Sequence, residues 1–188
     1  MIRDYTKINS FPHQLDNIKI GVISDTHIFD NSKHIPAKIL EAFRQVNLII
    51  HAGDCTSLKA LEELKALCPH VVAVAGNMDL DEVRKKYPAK QLLEVLGYRI
   101  GVMHGFGSPA GLLELLVEAF KEDDCDLVIF GHSHRSFNEK VGGVLFFNPG
   151  SAIDPAAPFN SYGIIELTKM SPQAHDRQKG INARIVKI

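Results

Sequence analysis

Apolar runs and amphipathic segments alternate through the first half of the chain. "IKIGVIS" is β-rich and short enough for a buried strand. "IPAKILEAFRQV" then sets Ile35, Ile39, Phe43 and Val46 on one helical stripe. "NLIIH" reads as a second strand, "SLKALEELKAL" as a helix carrying Leu58, Leu61, Leu64 and Leu67, and "HVVAVA" as a third strand. A short polar helix over "DLDEVRKKY" stops before Pro88, because the residue preceding a proline is pushed out of the helical region. The second half changes character. "QLLEVLGYRIGVM" predicts two strands turned around Gly97. "SPAGLLELLVEAFKED" predicts a helix with Ser108 as N-cap and Pro109 at its first position. After the strand "DLVIF" come only strand patterns: "FNEKVGGVLFFN", with a hairpin signal at Gly142-Gly143, then "SYGIIELT" and "INARIVKI". Parallel βαβ units followed by hairpins predict an α/β fold of two sheets packed on each other, with helices on the outer faces. Residues 1–17 are polar and aperiodic and read as an extension; residues 18–188 read as a single domain.

Composition narrows the classes. A chain of 188 residues with 45% hydrophobic and 23% charged content is ordinary for one globular domain. A net charge of −1, without clustered Lys and Arg, gives no general pull toward nucleic acid or an anionic membrane. Cys55, Cys68 and Cys125 are too few and too irregular for a disulfide framework. No signal-peptide pattern opens the chain, and no run approaches the ~18 apolar residues of a membrane span. A cytoplasmic protein is the expectation.

The chemistry lies where the strands end. Five apolar runs exit alike: "KIGVISDTH" into Asp25 and His27, "NLIIHAGD" into Asp54, "HVVAVAGNMD" into Asn77 and Asp79, "RIGVMHG" into His104, and "DLVIFGHSH" into His132 and His134. On an extended chain residues i and i+2 point the same way, so Asp25 with His27, and His132 with His134, can each reach one point. Gly53, Gly76 and Gly131 allow sharp turns beside them. In open α/β sheets, sites form outside the carboxyl ends of the strands. A single His or Asp after a strand is ordinarily a turn residue or a cap; five exits with one grammar are not independent accidents. Seven oxygen and nitrogen donors exceed what one cation takes and suit two. His13, His34, His70 and His175 lack this context. His51 reads as a buried, hydrogen-bonded core residue, and Cys55 as a packed neutral thiol.

"SDTH", "HAGD", "GNMD", "HG" and "GHSH", followed by "NPGS" at Asn148 to Ser151, resemble the calcineurin-like metallophosphoesterases, most closely their small bacterial and archaeal phosphodiesterases. The resemblance runs from about Ile18 to Thr168. It implies a four-layer α/β/β/α sandwich of two packed mixed sheets. It further implies that Asp25, His27 and His134 hold one metal, that Asn77, His104 and His132 hold a second, and that Asp54 bridges both. "NPGS" would be a structural loop. Two positions depart from relatives: Met78 stands where larger members carry a histidine, and Phe106 stands where several small members carry another.

A phosphodiesterase acting on small phosphodiesters through a metal-activated hydroxide follows from this reading. Asp54 would set the spacing of the metals. Asn77, a neutral ligand, would keep the site from becoming over-anionic, and Asp79 would orient a ligand or a loop amide. Manganese, iron, zinc, nickel and cobalt all suit such donors, and manganese is the choice carried forward. No covalent nucleophile, membrane or nucleic-acid partner is expected, and pairing of exposed strands into a homo-oligomer is left open. Two rivals stand beside it: a non-catalytic binding protein on the same framework, and nucleotide binding through the loop of Gly105, Gly107 and Gly111, with Asp123 to Asp126 following.

Overall fold

Side chains alternate across a strand, so the central strands here serve two cores at once. The computed structural model describes residues 6–7, 15–29, 33–169 and 177–188; His13 and His175 lie outside the described residues. The elements are β1 (Thr6–Lys7), β2 (Asn17–Ile23), α1 (Ala37–Phe43), β3 (Leu48–His51), α2 (Leu58–Lys65), β4 (Val71–Ala73), α3 (Asp81–Lys86), β5 (Lys90–Val95), β6 (Tyr98–Met103), α4 (Leu112–Phe120), β7 (Leu127–Ile129), β8 (Phe137–Val141), β9 (Val144–Asn148), β10 (Ser161–Thr168) and β11 (Ile181–Lys187).

They form two mixed sheets, one ordered β11-β10-β2-β3-β4 and the other β1-β5-β6-β7-β9-β8. Ile20 and Val22 of β2, Ile50 of β3, Val102 of β6, Ile129 of β7 and Phe147 of β9 meet in the core between the sheets. On the opposite face of the first sheet, Ile49 and Ile164 pack against Ile39 and Phe43 of α1 and Leu61 and Leu64 of α2. On the opposite face of the second, Val128 and Phe146 pack against Leu112, Leu116 and Phe120 of α4. The result is the expected four-layer α/β/β/α sandwich of two mixed sheets. No helix among the described residues is long and apolar enough to cross a membrane.

Two details differ from the sequence reading. The segment after Ser108 does not start as an α-helix: Pro109–Gly111 form a 3-10 turn, capped by Ser108 Oγ accepting from Ala110 N at 3.3 Å, and α4 begins at Leu112. A proline without an N–H and a poor helix former at 111 favour the tighter first turn. Within the extension, β1 pairs in parallel with β5, Thr6 opposite Leu93.

Helices sit close to the sheets because glycines lie beneath aromatic rings. A Cβ added to Gly101 of β6 would fall 2.4 Å from Cε1 of the buried Phe120. Gly101→Ala is therefore expected to cost about 1–3 kcal/mol of stability through overpacking. Urea denaturation would read this as a lower midpoint; an unchanged midpoint would show that α4 can lift freely.

Register brings the strand exits level. Ile23, His51 and Ala73 are neighbours across β2, β3 and β4, and Val102, Ile129 and Phe147 are neighbours across β6, β7 and β9, with all these pairings parallel. Loops are joined within each group, Asp25 N–H donating to Gly53 O at 3.0 Å, His27 N–H to Asp54 O at 3.0 Å and Gly131 N–H to His104 O at 3.2 Å, and across the groups His104 Nδ1 meets Ala52 O at 2.8 Å, so both sets of carboxyl ends open on the same side of the sandwich.

Candidate metal centre

All seven expected ligands converge at these exits, but not by the extended geometry that the spacing suggested. Asp25 (φ 52°), His27 (φ 43°), Asp54 (φ 55°), His132 (φ 70°) and His134 (φ 55°) occupy the left-handed region. Non-glycine residues adopt it at a cost of roughly 1–3 kcal/mol each, so the surrounding structure must enforce it. The chain turns at the ligands themselves. Of the three flanking glycines, only Gly53 (φ 92°) has a positive φ. The other two clear space: a Cβ on Gly76 would lie 2.1 Å from Asp54 Oδ1, and one on Gly131 would lie 2.9 Å from Asp25 Oδ2 and from His104 Nδ1.

Backbone groups and one further carboxylate decide how the imidazoles face. His104 Nδ1–H donates to Ala52 O at 2.8 Å, His132 Nε2–H to Gly107 O at 2.8 Å, and His134 Nδ1–H to Asp154 Oδ2 at 2.5 Å. Such outward bonds select the tautomer and turn the other nitrogen's lone pair into the site. His104 Nε2 lies 3.1 Å from Asp54 Oδ2 and 3.8 Å from Asp25 Oδ1. His134 Nε2 lies 3.2 Å from both Asp25 Oδ1 and His27 Nε2. His132 Nδ1 faces Asn77 Oδ1 at 2.9 Å.

Acceptors facing acceptors need a proton or a cation between them. His104 Nε2 is buried and faces the Asp54 carboxylate at 3.1 Å, an approach that a proton or a cation between the two would satisfy. In two triads, Asp25–His27–His134 and Asp25–Asp54–His104, one donor atom of each residue lies within 4.8 Å of the others. Asp25 is common to both, while Asn77 and His132 form a further pair beside His104, whose ring stands edge-on to His132 at 5.4 Å. The donor set fits divalent cations of the transition series.

Supporting residues complete the frame. Asp79 accepts from the N–H groups of Asp54 (3.1 Å), Thr56 (2.5 Å) and Gly76 (2.6 Å), tying the loop after β3 to the loop after β4. Met78 N–H donates to Asp54 Oδ1 at 2.7 Å. The "NPGS" loop buttresses from below: Ser151 Oγ–H donates to Asp25 O, Ser24 Oγ–H donates to Gly150 O, and Asn148 Nδ2 donates to Gly131 O. Gly107 turns the chain beside His132, and Ser108 caps the turn that follows. His51 is buried among the core strands, hydrogen-bonded to Thr26 Oγ1 at 3.0 Å and accepting from Gly53 N–H; burial pushes its pKa down to about 4. Burial, reinforced by Asp79, pushes the Cys55 thiol up.

Asp154 escaped the sequence reading. The only local signal is "SAID", in which Ser151 Oγ accepts from Asp154 N–H at 3.0 Å and so holds that carboxylate against His134.

Protonation of the metal-free site follows from the same contacts. Asp25 raises the His134 pKa to about 9; burial opposes this and Asp154 adds to it. Burial works against protonation of His104, but Asp54 and Asp25 outweigh it and its pKa rises. Burial would raise the Asp54 carboxyl, yet His104 and the Met78 N–H hold it below its ordinary value. At pH 7.5, below the His134 value, that imidazole is protonated, and a cation taking its Nε2 must displace the proton. Manganese titration in buffers of differing ionisation enthalpy is expected to show net proton release on the order of one per protein. Heats independent of the buffer would contradict it.

Comparison with known proteins identifies the family and the fold. The family model described as the calcineurin-like phosphoesterase superfamily domain matches residues 18–170. A probable metallophosphoesterase of Methanothermobacter thermautotrophicus is 42% identical over 136 residues, covering 72% of this chain and 78% of its own. A phosphodiesterase of Methanocaldococcus jannaschii is 30% identical over 167 residues, covering 81% and 95%. Among solved structures, vacuolar protein sorting 29 from Cryptosporidium parvum superposes with a TM-score of 0.68 at 22% identity, covering 92% of this chain and 98% of that one, a likeness of fold.

Proposed function

The chain belongs to the calcineurin-like phosphoesterase superfamily, and we propose that it is a phosphodiesterase that uses two divalent cations and hydrolyses small phosphodiesters. The observation that carries this reading is that seven nitrogen and oxygen donors meet at the strand exits, in two triads that share Asp25 and in the Asn77–His132 pair beside His104. Likeness to a phosphodiesterase across most of both chains supports the choice of reaction.

Asp25, His27 and His134 would hold one cation, and Asn77, His104 and His132 the other. Asp54 would serve both: it touches His104 through one oxygen and, through the other, takes the Met78 N–H of the loop that carries Asn77. Cations bound there supply Lewis acidity toward the phosphoryl oxygens and make water a competent nucleophile at neutral pH. The protein's own part is positioning. Asp79 clamps the two loops that bear Asp54 and Asn77, and Asp154 keeps the His134 lone pair turned inward. Met78, beside Asn77, has no proton to give a departing oxygen, so esters with acidic leaving groups suit the site best.

Bis(p-nitrophenyl) phosphate is therefore the first substrate to test. Protein stripped with chelator is expected to be inactive and to recover on addition of manganese, iron(II), zinc, nickel or cobalt, with about two equivalents bound. A second reading, a non-catalytic binding protein, is favoured by the likeness in fold to a protein named for vacuolar sorting. A folded, metal-loaded sample without turnover of any phosphodiester would decide for it.

A further inference from the structure

Among the described residues five large hydrophobic side chains stand exposed: Phe29, Met78, Leu80, Phe106 and Val117. Four of these lie within two residues of His27, Asn77, Asp79 or His104, and only Val117 belongs elsewhere, on α4. Scattered singly, such residues need no explanation; gathered at the loops of one polar site, they do. Phe29 is 57% exposed and its ring lies nearly parallel to that of His27, at 15° and 6.3 Å. Phe106 is 55% exposed between Gly105 (φ 93°) and Gly107 (φ 83°), on the loop whose Gly107 carbonyl holds His132. Met78 is 51% exposed while its own N–H is bonded to Asp54. Among neighbouring cations, the Arg84 guanidinium is bonded to Asn77 O at 2.6 Å.

We infer that Phe29 and Phe106, with Met78, form an apolar rim that selects phosphodiesters bearing a flat aromatic group, such as an aryl ester or a nucleobase. This rests on the phosphodiesterase reading and goes further, to the substrate class. A polar site whose loops carry exposed apolar side chains matches an anion with an apolar arm on either side, which is the build of a diester. A phosphomonoester is a dianion with one arm and leaves half of such a rim uncovered. Three side chains are too small an area for a stable protein partner, which needs more than about 1,000 Å² in total. Exposed aromatic rings are suited to stacking, and stacking is indifferent to whether the partner is a base or a phenyl group.

The test separates the rim from the chemistry. p-Nitrophenyl phenyl phosphate, p-nitrophenyl methyl phosphate and thymidine 5′-(p-nitrophenyl phosphate) share a leaving group and differ in what stays on phosphorus. The manganese-loaded enzyme is expected to favour the phenyl or thymidine ester over the methyl ester by about tenfold or more in kcat/KM. The difference should lie in KM, and the two aromatic arms tell aryl from nucleoside preference. In Phe29→Ala/Phe106→Ala the ratio should fall toward one; Phe106→Tyr should restore it and Phe106→Leu should not. Independently of turnover, calorimetry should find diphenylphosphinate, whose P–C bonds resist hydrolysis, bound more tightly than dimethylphosphinate, with the preference lost in the double alanine variant. Equal constants for aromatic and methyl ligands, or a ratio untouched by the substitutions, would overturn the rim. Absence of any diester turnover would instead overturn the phosphodiesterase reading.

Discussion

Asp54→Asn is expected to lower kcat/KM for bis(p-nitrophenyl) phosphate by about a thousandfold or more while the protein stays folded, the scale seen when one well-placed electrostatic group is removed from a site. Asparagine keeps the shape and can still accept the Met78 N–H at Oδ1. It removes the negative charge that faces His104 Nε2 at 3.1 Å and that would be shared between cations. With that charge gone His104 loses one of the carboxylates that raise its pKa against burial, so its pKa falls. Three measurements together decide: circular dichroism for the fold, elemental analysis for bound metal, and steady-state kinetics. Near wild-type hydrolysis by a folded variant would count decisively against a catalytic cation pair at this place.

Gly76→Ala is expected to do comparable damage without removing any ligand. The new methyl would sit 2.1 Å from Asp54 Oδ1 and 2.5 Å from Asp54 N, contacts that no side-chain rotation relieves because the second is backbone. Either Asp54 or the loop after β4 must move, and both are tied to Asp79. A shift near 1 Å at a reacting centre costs about a hundredfold in rate, and metal affinity should fall about 10–100-fold as it does when outer supports of a site are lost. Gly111→Ala is the control, since a Cβ there meets nothing within 4 Å. Calorimetric titration with manganese on both variants, alongside the assay, would show the effect at position 76 alone; equal behaviour would mean that the loop yields without disturbing Asp54.

The lesson of these two positions is that residue types were legible in the chain and their arrangement was not. Layering followed from periodicity: alternate apolar residues in "IKIGVI" and "DLVIF" feed two cores, and the helical stripe through Ile39 and Phe43 covers one face. The candidate donors were equally plain, because five of the strand patterns end on Asp, Asn or His. Those are local properties, carried by neighbours in sequence.

The left-handed backbone at Asp25, His27, Asp54, His132 and His134 was not readable, because only contacts between distant exits stabilise it. Nor was the facing of the imidazoles, which depends on Ala52 O, fifty-two residues from His104, and on Asp154, twenty from His134. The clearance at Gly76 and the placing of Phe29, Met78 and Phe106 on the loops of one site have the same origin. Periodicity and side-chain chemistry carry the layers and the supply of ligands; distances between segments far apart in the chain set the angle, protonation and shielding of each, and they exist only once the two sheets have closed on each other.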